Sequence, residues 1–229
     1  MPIPRKVNNR FFKEWGYEMA YVLGFFAADG NMIRNRRGAH FVAFYSCDKS
    51  ILLLIQNVMG SSHRIGVRHR VPPWRTAYQL QIGSKEIFND LVKLGFVPAK
   101  SKRLKLPAVP KKYLGDFVRG YFDGDGCVYF KRLKFADRKN PRWILQTIFT
   151  CGSKNFLFEL QTLLQQNDII GGSIRKKTRG FDLLLSHKDS VALYKLMYHT
   201  VSATGLYLPR KYKLFRKAIR TLYTDAGVA

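Results

Sequence analysis

Two short stretches, "YVLGFFAADG" and "FVRGYFDGDG", carry the acids best placed to do chemistry. Each is largely apolar and ends on an acid followed by glycine, Asp29 in the first stretch and Asp125 in the second, 96 residues later. The apolar runs predict buried helices. Each acid would then stand at a helix C-terminus, where free carbonyl groups already carry partial negative charge. Two such acids repel each other when they meet, unless a cation lies between them.

A small divalent cation such as Mg²⁺ suits a site with two carboxylates, main-chain carbonyls and retained water. Metal ions in such a site activate water and stabilise the leaving oxygen of a phosphodiester. Asp29 and Asp125 are therefore the candidate metal ligands. A calcium loop starting at "DGDG" is disfavoured, because Cys127 and Lys134 occupy two of its ligand positions. An aspartate that accepts a phosphoryl group is also disfavoured, because it would precede a helix, whereas these acids follow one. For either stretch alone, an ordinary turn that ends a helix remains an alternative.

The two stretches belong to an internal repeat. Aligning Asp29 with Asp125 also sets Gly24 on Gly120. Matching pieces follow in the same order at offsets of 104, 103 and 111: "YSCDKSILLLIQNVMG" with "FTCGSKNFLFELQTLL", "GSKEIFNDLVKLG" with "SHKDSVALYKLMY", and "AKSKRL" with "RKYKLF". This period is far too long for a solenoid, so we infer a duplicated unit. Each copy is predicted to contain a helix, strands, a helix, further strands and a helix.

Small residues form a stripe on each predicted motif helix. Gly24 and Ala28 are four residues apart, as are Gly120 and Gly124, so each pair shares one helix face. Glycine inside a helix costs about 1 kcal/mol relative to alanine. Small stripes let two backbones approach closely, so we expect the motif helices to pack against each other. The alternative is that each helix packs only against its own sheet.

The net charge of +25, from 40 basic and 15 acidic residues, indicates a polyanionic partner. Both halves are basic, with 18 basic against 6 acidic residues in 1–110 and 22 against 9 in 111–229. Nucleic acid is favoured over an anionic membrane surface, and the apolar runs are too short to span a bilayer. The N-terminus lacks an apolar signal segment, so we expect an intracellular protein. Three cysteines without C-x-x-C spacing disfavour a disulfide scaffold or zinc site.

Polar residues alternate with apolar ones in several predicted strands. In "RIGVRHRV" (64–71) the arginines share one parity, with the apolar residues on the other, and a second alternating strand covers 77–82. Arginine, lysine and glutamine pair with base edges in the major groove, whereas an ordinary solvated face would carry Glu as often as Lys. The candidate DNA-binding residues are Arg34, Arg36, Arg68, Arg70, Gln79, Gln81, Gln146, Arg175 and Lys177.

The boundary between the two copies is predicted in "KLPAVPKKY", which contains two prolines and three lysines. We therefore assign 1–105 to a first repeat, 106–113 to a linker and 114–229 to a second repeat.

The nonapeptides "VLGFFAADG" (22–30) and "VRGYFDGDG" (118–126) resemble the LAGLIDADG motif, and the chain is similar to single-chain, two-repeat LAGLIDADG homing endonucleases. This resemblance implies an α+β fold of two pseudo-symmetric αββαββα repeats packed through their motif helices, each with a saddle-shaped antiparallel sheet for double-stranded DNA. It implies a monomer that cuts a long target across the minor groove with Mg²⁺, leaving short 3′ overhangs. Mn²⁺ or Ca²⁺ would fit the same sites. The host would be a bacterium, an archaeon or an organelle.

The resemblance also assigns roles to individual residues. Asp29 and Asp125 become catalytic metal ligands, helped by the carbonyls of Ala28 and Gly124. A basic residue late in each repeat completes the site, and Lys100 and Lys211 match it, with Lys102 and Lys213 nearly as suitable. The sixth motif position is Asp123 in the second repeat and Ala27 in the first. A non-cutting relative, such as an intron RNA maturase or a transcription factor, is the alternative function.

Overall fold

The computed structural model describes residues 5–223, except the side chains of residues 202 and 203. Both repeats contain the same succession of elements. The first has α1 (Tyr17–Asp29), β1 (Gly30–Arg34), β2 (His40–Ser46), α2 (Lys49–Val58), β3 (Ile65–Arg68), β4 (Ala77–Gly83) and α3 (Lys85–Lys93). The second has α4 (Leu114–Asp125), β5 (Gly126–Leu133), β6 (Arg142–Cys151), α5 (Lys154–Gln165), β7 (Ser173–Lys177), β8 (Gly180–Leu185) and α6 (His187–Tyr198). Helices α7 (Val201–Thr204) and α8 (Pro209–Tyr223) follow, and the turns Lys100–Lys102 and Lys111–Tyr113 are 3-10 helical.

Helix α1 is buried on nearly every side, because it lies between its own sheet and α4. Its nine consecutive residues from Met19 to Ala27 are all buried. The helix ends where the backbone of Gly30 becomes extended, with φ −96° and ψ 157°. A side chain at Gly30 would overlap the ring of Phe26. Glycine therefore lets β1 start directly at the helix end, which fixes where Asp29 lies.

The two sheets have the same strand order, β1-β2-β4-β3 and β5-β6-β8-β7, with every neighbouring pair antiparallel. Side chains alternate between the two faces of each strand. In β6, for example, Leu145, Thr147, Phe149 and Cys151 are buried, and the residues between them are half-exposed. One face of each sheet thus packs on the helices, and the other, called here the outer face, is free of them.

Helices α1 and α4 pack together with their backbones in contact. A Cβ atom built on Gly24 would overlap the carbonyl oxygen of Phe117, and one on Gly120 would overlap that of Tyr21. The small-residue stripes therefore face each other at the helix crossing, the geometry that glycine permits.

A buried ion pair fastens α4 to the end of its repeat. Arg119 and Asp116 are both fully buried, and Arg119 Nη2 lies 2.7 Å from Asp116 Oδ1. Arg119 Nε also donates to the carbonyl of Leu206 at 2.8 Å, and Nη1 donates to that of Met197. Its guanidinium lies 5.3 Å from the ring of Tyr21 in α1. A buried cation requires partners of this kind, so Arg119 joins α4 to the end of the second repeat and contacts the first repeat through the ring of Tyr21.

Strand β3 is shorter than the alternating pattern over 64–71 predicts. It covers only Ile65–Arg68. Val67 is 49% exposed and Val71 is 80% exposed, so the prediction of one apolar side extending to Val71 is wrong. The Pro72-Pro73 pair lacks amide hydrogens and cannot continue the strand ladder.

Between the repeats, residues 104–110 contain neither helix nor strand. The amide of Leu106 donates to Glu159 Oε2 in α5 at 2.7 Å, so this segment is attached to the second repeat. The division into 1–105, 106–113 and 114–229 stays a prediction, and residues 1–4 and 224–229 lie outside the described part.

The predicted fold class is confirmed: the chain is α+β, with two αββαββα repeats packed through their motif helices and an antiparallel sheet in each. Within residues 5–223, no helix combines the length and apolar character needed to cross a membrane.

Candidate metal centre and nucleic-acid interface

The acids that end α1 and α4 lie at the same end of the helix pair. A Cβ atom built on Gly124, the residue before Asp125, would overlap Ala28 Cβ and stand 3.3 Å from Asp29 Oδ2. Both carboxylates are half-buried, and neither accepts a hydrogen bond from any residue that the structure describes. Carboxylate oxygens left without donors in this way are available to a cation.

A buried lysine lies against each of these helix ends. Lys100 Nζ donates to the carbonyl of Ala27 at 2.7 Å, and Lys211 Nζ donates to that of Phe122 at 2.6 Å. Lys100 Nζ also lies 5.6 Å from the ring of Phe26, and Lys211 Nζ lies 5.1 Å from that of Phe122. Cations are favoured at helix C-termini. The two lysines therefore offset the negative charge that the free carbonyls and the acids together create at the ends of α1 and α4.

The structure distinguishes the two lysines of each late basic cluster. Lys100 and Lys211 are each 5% exposed. Lys102 and Lys213 are exposed to solvent. Lys100 lies in a 3-10 turn and Lys211 in the first turn of α8, and only these two are brought to the acids.

The carbonyl oxygens of Ala28 and Gly124 also lie at these helix ends, next to the acids and the lysines. Lys100 Nζ is 3.4 Å from the first and Lys211 Nζ is 3.5 Å from the second. Such long contacts are weak, and a carbonyl has two lone pairs, so both oxygens can still bind a cation. Among the described residues, no group of three or more His, Cys, Asp or Glu side chains is arranged to hold a metal ion by itself. Carbonyls and water would have to complete the coordination of a metal ion, which fits Mg²⁺.

Burial shifts the pKa values of both acids and both lysines at this site. The pKa of Asp29 is raised to about 7 by burial and then by repulsion from Asp125, with Lys211 and Lys100 opposing the rise. Burial likewise raises the pKa of Asp125, again against the lysines. The pKa values of Lys100 and Lys211 are lowered to about 8, mainly by burial. A cation bound between the acids would favour their ionised forms.

Asp123, the acid at the sixth motif position, makes a different set of contacts. It is 3% exposed, and its Oδ2 accepts hydrogen bonds from Tyr21 Oη and from the amide of Leu208, both at 2.8 Å. Burial raises its pKa to about 6. Asp123 therefore links α1, α4 and Leu208, the residue just before α8, a structural role that Ala27 cannot play in the first repeat.

The metal-free protein should lose stability as pH rises through the folded-state pKa of Asp29. This value, about 7, is above the ordinary 3.8, so the folded state binds the extra proton between these values and stability falls with rising pH. The variant Asp29→Asn should therefore be more stable than the parent by about 1–3 kcal/mol at pH 8. Each pKa unit corresponds to roughly 1.4 kcal/mol, and the expected gain is smaller than the full shift because solvent screens the half-buried carboxylate.

Thermal denaturation in EDTA at pH 5, 6, 7 and 8 measures this difference. The advantage of Asp29→Asn should shrink toward pH 5. An advantage that does not change with pH would contradict the raised pKa.

On the first sheet, Gln79 and Gln81 lie on the outer face. Gln79 Nε2 donates to Gln81 Oε1 at 2.8 Å and to Tyr45 Oη at 3.3 Å. Arg68 is on the same face, with its guanidinium 5.5 Å from the ring of Tyr45. The structure thus brings three of the predicted DNA-binding residues together.

On the second sheet, Gln146, Arg175 and Lys177 lie on the outer face. Gln146 is half-exposed between two buried neighbours in β6. Arg175 is in register with Asp182, which is in register with Thr150 across β6, β7 and β8. Lys177 Nζ lies 2.9 Å from Asp182 Oδ1.

Three predicted DNA-binding arginines lie at the margins of the first sheet. Arg34 ends β1 opposite His40, on the parity of the buried Met32, which is the helix-facing side. Arg36 is exposed in the turn between β1 and β2, and Arg70 is exposed in the loop after β3. None of the three is on the outer face within a strand: Arg34 has the helix-facing parity, and Arg36 and Arg70 lie beyond the ends of β1 and β3.

The outer faces also carry aromatic and basic residues that are not among the predicted DNA-binding residues. Tyr45 contacts two predicted residues, as described above. Tyr129 is in register with Gln146, and Lys131 Nζ lies 5.7 Å from the ring of Tyr129. Tyr129 and Lys131 are two residues apart in β5, so the period-two pattern could have identified them.

Comparison with known proteins finds likeness in fold. No family model and no curated protein matches the sequence. I-SmaMI, a LAGLIDADG homing endonuclease bound to cleaved DNA, aligns with a TM-score of 0.61 and 12% identity over 93% of this chain and 91% of that chain. I-CpaMI, a LAGLIDADG meganuclease bound to uncleaved DNA, aligns with a TM-score of 0.62 and 13% identity over 93% of each chain. I-WcaI, a homing endonuclease bound to its DNA recognition sequence, aligns with a TM-score of 0.56 and 14% identity over 89% of each chain.

Because the sequence identities are low, these alignments establish the fold alone. The two repeats, their motif helices and their antiparallel sheets match over about nine-tenths of each chain. The resemblance predicted from "VLGFFAADG" and "VRGYFDGDG" is confirmed in three dimensions: this chain has the fold of the LAGLIDADG meganucleases.

Proposed function

We propose that this protein is a site-specific, Mg²⁺-dependent endonuclease of double-stranded DNA. The observation that carries the proposal is the pair Asp29 and Asp125. These half-buried acids lie at two abutting helix ends, accept no hydrogen bond within residues 5–223, and each have a buried lysine nearby. The solved structures with the same fold support the proposal, because they are homing endonucleases or meganucleases bound to DNA, in one case to cleaved DNA.

Asp29 and Asp125 would hold the metal together with the carbonyls of Ala28 and Gly124. A divalent ion bound there supplies an activated water and stabilises the leaving oxygen. The chain holds the carboxylates in place through the contact of α1 with α4 and through the glycines that start β1 and β5. Such rigid support is what a catalytic site requires. Mn²⁺ or Ca²⁺ would occupy the same oxygen ligands.

Lys100 and Lys211 would act on the phosphate. Buried beside the acids, they would place positive charge where charge develops on a scissile phosphate, which would lower the barrier to cleavage. Each is held by helix-end carbonyls, so its position is fixed before DNA binds.

The two outer faces would bind a long duplex. They carry arginine, lysine and glutamine, the side chains that pair with base edges, on a chain of net charge +25. The acids lie between the repeats, so cleavage would occur at the centre of the target. The resemblance to LAGLIDADG homing endonucleases implies that the cut crosses the minor groove and leaves short 3′ overhangs. If the gene lies inside an intron, the joined flanking exons are the expected target. Both motif acids are present, which favours cutting over a purely binding or splicing role.

Plasmid cleavage tests the proposal. Purified protein should linearise a plasmid that carries the joined flanks of its own gene in Mg²⁺, and should leave it intact in EDTA. Tight, Mg²⁺-independent binding without any strand breakage would contradict the proposal and favour a non-cutting role.

Removing one buried lysine should slow cleavage without weakening DNA binding. Lys100→Met or Lys211→Met keeps the apolar stem and removes the charge, so the cleavage rate should fall about 10²-fold. The exposed neighbours Lys102→Met and Lys213→Met are the matched controls and should cut within about threefold of the parent. A loss in the controls as large as in the buried pair would contradict the assignment of Lys100 and Lys211.

A further inference from the structure

Asp182 stands out because it is the only acidic residue in the eight strands that the structure describes. It lies on the outer face of the second sheet, in register with Thr150 on one side and Arg175 on the other. An acid on a face that meets DNA phosphates weakens binding. Its presence therefore calls for a role other than backbone attraction.

The side chain of Asp182 is fixed by two donors on one of its oxygens. Oδ1 accepts from Lys177 Nζ at 2.9 Å and from Thr150 Oγ1 at 2.7 Å. Lys177 Nζ is also 3.3 Å from Thr150 Oγ1. Oδ2 accepts no hydrogen bond within residues 5–223, and the side chain is 23% exposed. The cluster thus presents one open acceptor next to a lysine held in place.

This combination matches a base pair better than a phosphate. A phosphate offers only acceptors, so it could satisfy Lys177 and would repel Asp182. A G·C pair in the major groove offers both kinds of group: guanine presents the O6 and N7 acceptors, and cytosine presents the N4 amino donor. Lysine pairs with the first and aspartate with the second.

Although it is on the outer face, the cluster of Asp182, Lys177 and Thr150 lies at the end of the sheet nearest the metal centre. The carbonyl of Thr150 accepts from Tyr121 Oη at 2.8 Å, and Tyr121 is one turn before Asp125 in α4. The base pair concerned would be close to the cleavage point.

The first repeat carries no acid at the equivalent position. Gly30 pairs with Phe44 and Gly126 with Phe149, so the row that corresponds to Thr150 and Asp182 is Tyr45 and Gln79. The pair of Asp182 and Lys177 would therefore contact only one half of the target.

We propose that Asp182 and Lys177 together read one G·C base pair in the major groove, next to the cleavage point and in one half-site. This inference rests on the proposed DNA endonuclease function and assigns part of its specificity.

Selection from a pool of randomised duplexes tests it, with the full chain and its Asp182→Asn and Lys177→Met variants. Asn keeps the Oδ1 acceptor for Thr150 and Lys177 and removes the charge, so the fold should be retained. The parent should prefer G·C in one orientation at one position near the centre, and each variant should lose about tenfold of that preference there alone. Lys176→Met is the matched control, because Lys176 pairs with Phe181 on the helix-facing parity, and it should keep the preference.

An unchanged G·C preference in Asp182→Asn, or an equal loss at every position, would overturn the inference. A parent protein that selects no sequence at all would instead contradict the proposed function itself.

Discussion

Replacing Gly24 or Gly120 with alanine should destabilise the protein by at least about 3 kcal/mol, because the added methyl group has no space. A Cβ at either position would overlap a carbonyl oxygen of the opposite motif helix, and would stand 2.9 Å from the amide nitrogen of Tyr121 or Phe25 respectively. A backbone cannot move aside as a flexible side chain can. The helices must therefore separate, which also displaces the two acids.

The sign of this effect is informative. In a helix without tertiary contacts, alanine is about 1 kcal/mol better than glycine, so propensity alone predicts a gain. Gly66→Ala is the control, because a Cβ there would meet only Gln79 O at 3.8 Å. Thermal or urea unfolding measures all three variants. Stabilisation by Gly24→Ala and Gly120→Ala would show that the motif helices do not pack as described.

The second large effect concerns catalysis: Asp29→Asn and Asp125→Asn should each reduce linearisation of the target by at least about 10³-fold. Asparagine is nearly the same size as aspartate but lacks the charge that holds a divalent cation. DNA binding should persist or tighten, because the change removes a negative charge from a site that approaches phosphates.

Two observations would separate catalysis from folding in these variants. Their unfolding temperatures should equal or exceed that of the parent, because each removes a half-buried charge whose pKa is raised. Asp123→Ala is the contrast, since it removes the acceptor of the hydrogen bonds from Tyr21 and Leu208 and should lower stability. Loss of cutting together with loss of fold in Asp29→Asn would contradict the assignment.

The motif helices and their acids could be predicted because their signals are local and occur twice. The four-residue spacing of Gly24 and Ala28 defines a helix face without any knowledge of the fold. Repetition at an offset of 96 then indicated that two equal faces meet. The fold class followed from the same repeat.

The choice of lysine could not be predicted. Lys100 and Lys102 are two residues apart in a turn, and nothing in "AKSKRL" shows which one points inward. The direction depends on how the 3-10 turn meets the end of α1, a contact between residues more than seventy positions apart. Lys211 was equally undetermined.

Buried polar contacts between distant elements could not be predicted from the sequence either. Arg119 reads as a charged residue within an apolar run, yet it is fully buried because Asp116 and several carbonyls surround it. Tyr21 reads as part of an apolar face, yet its hydroxyl group binds Asp123 of the other repeat. Such partners come from tertiary packing, which the alternation of residues along one strand or helix does not encode.

The most direct test of the account is the sequencing of cut ends from a randomised duplex library. The parent and the double variant Asp29→Asn/Asp125→Asn would each be incubated with it in Mg²⁺. The parent should produce cuts within one consensus sequence, abolished by EDTA, and the double variant should bind the same sequence and produce none. Robust cutting of that sequence by the double variant would show that these two acids are not the catalytic metal ligands.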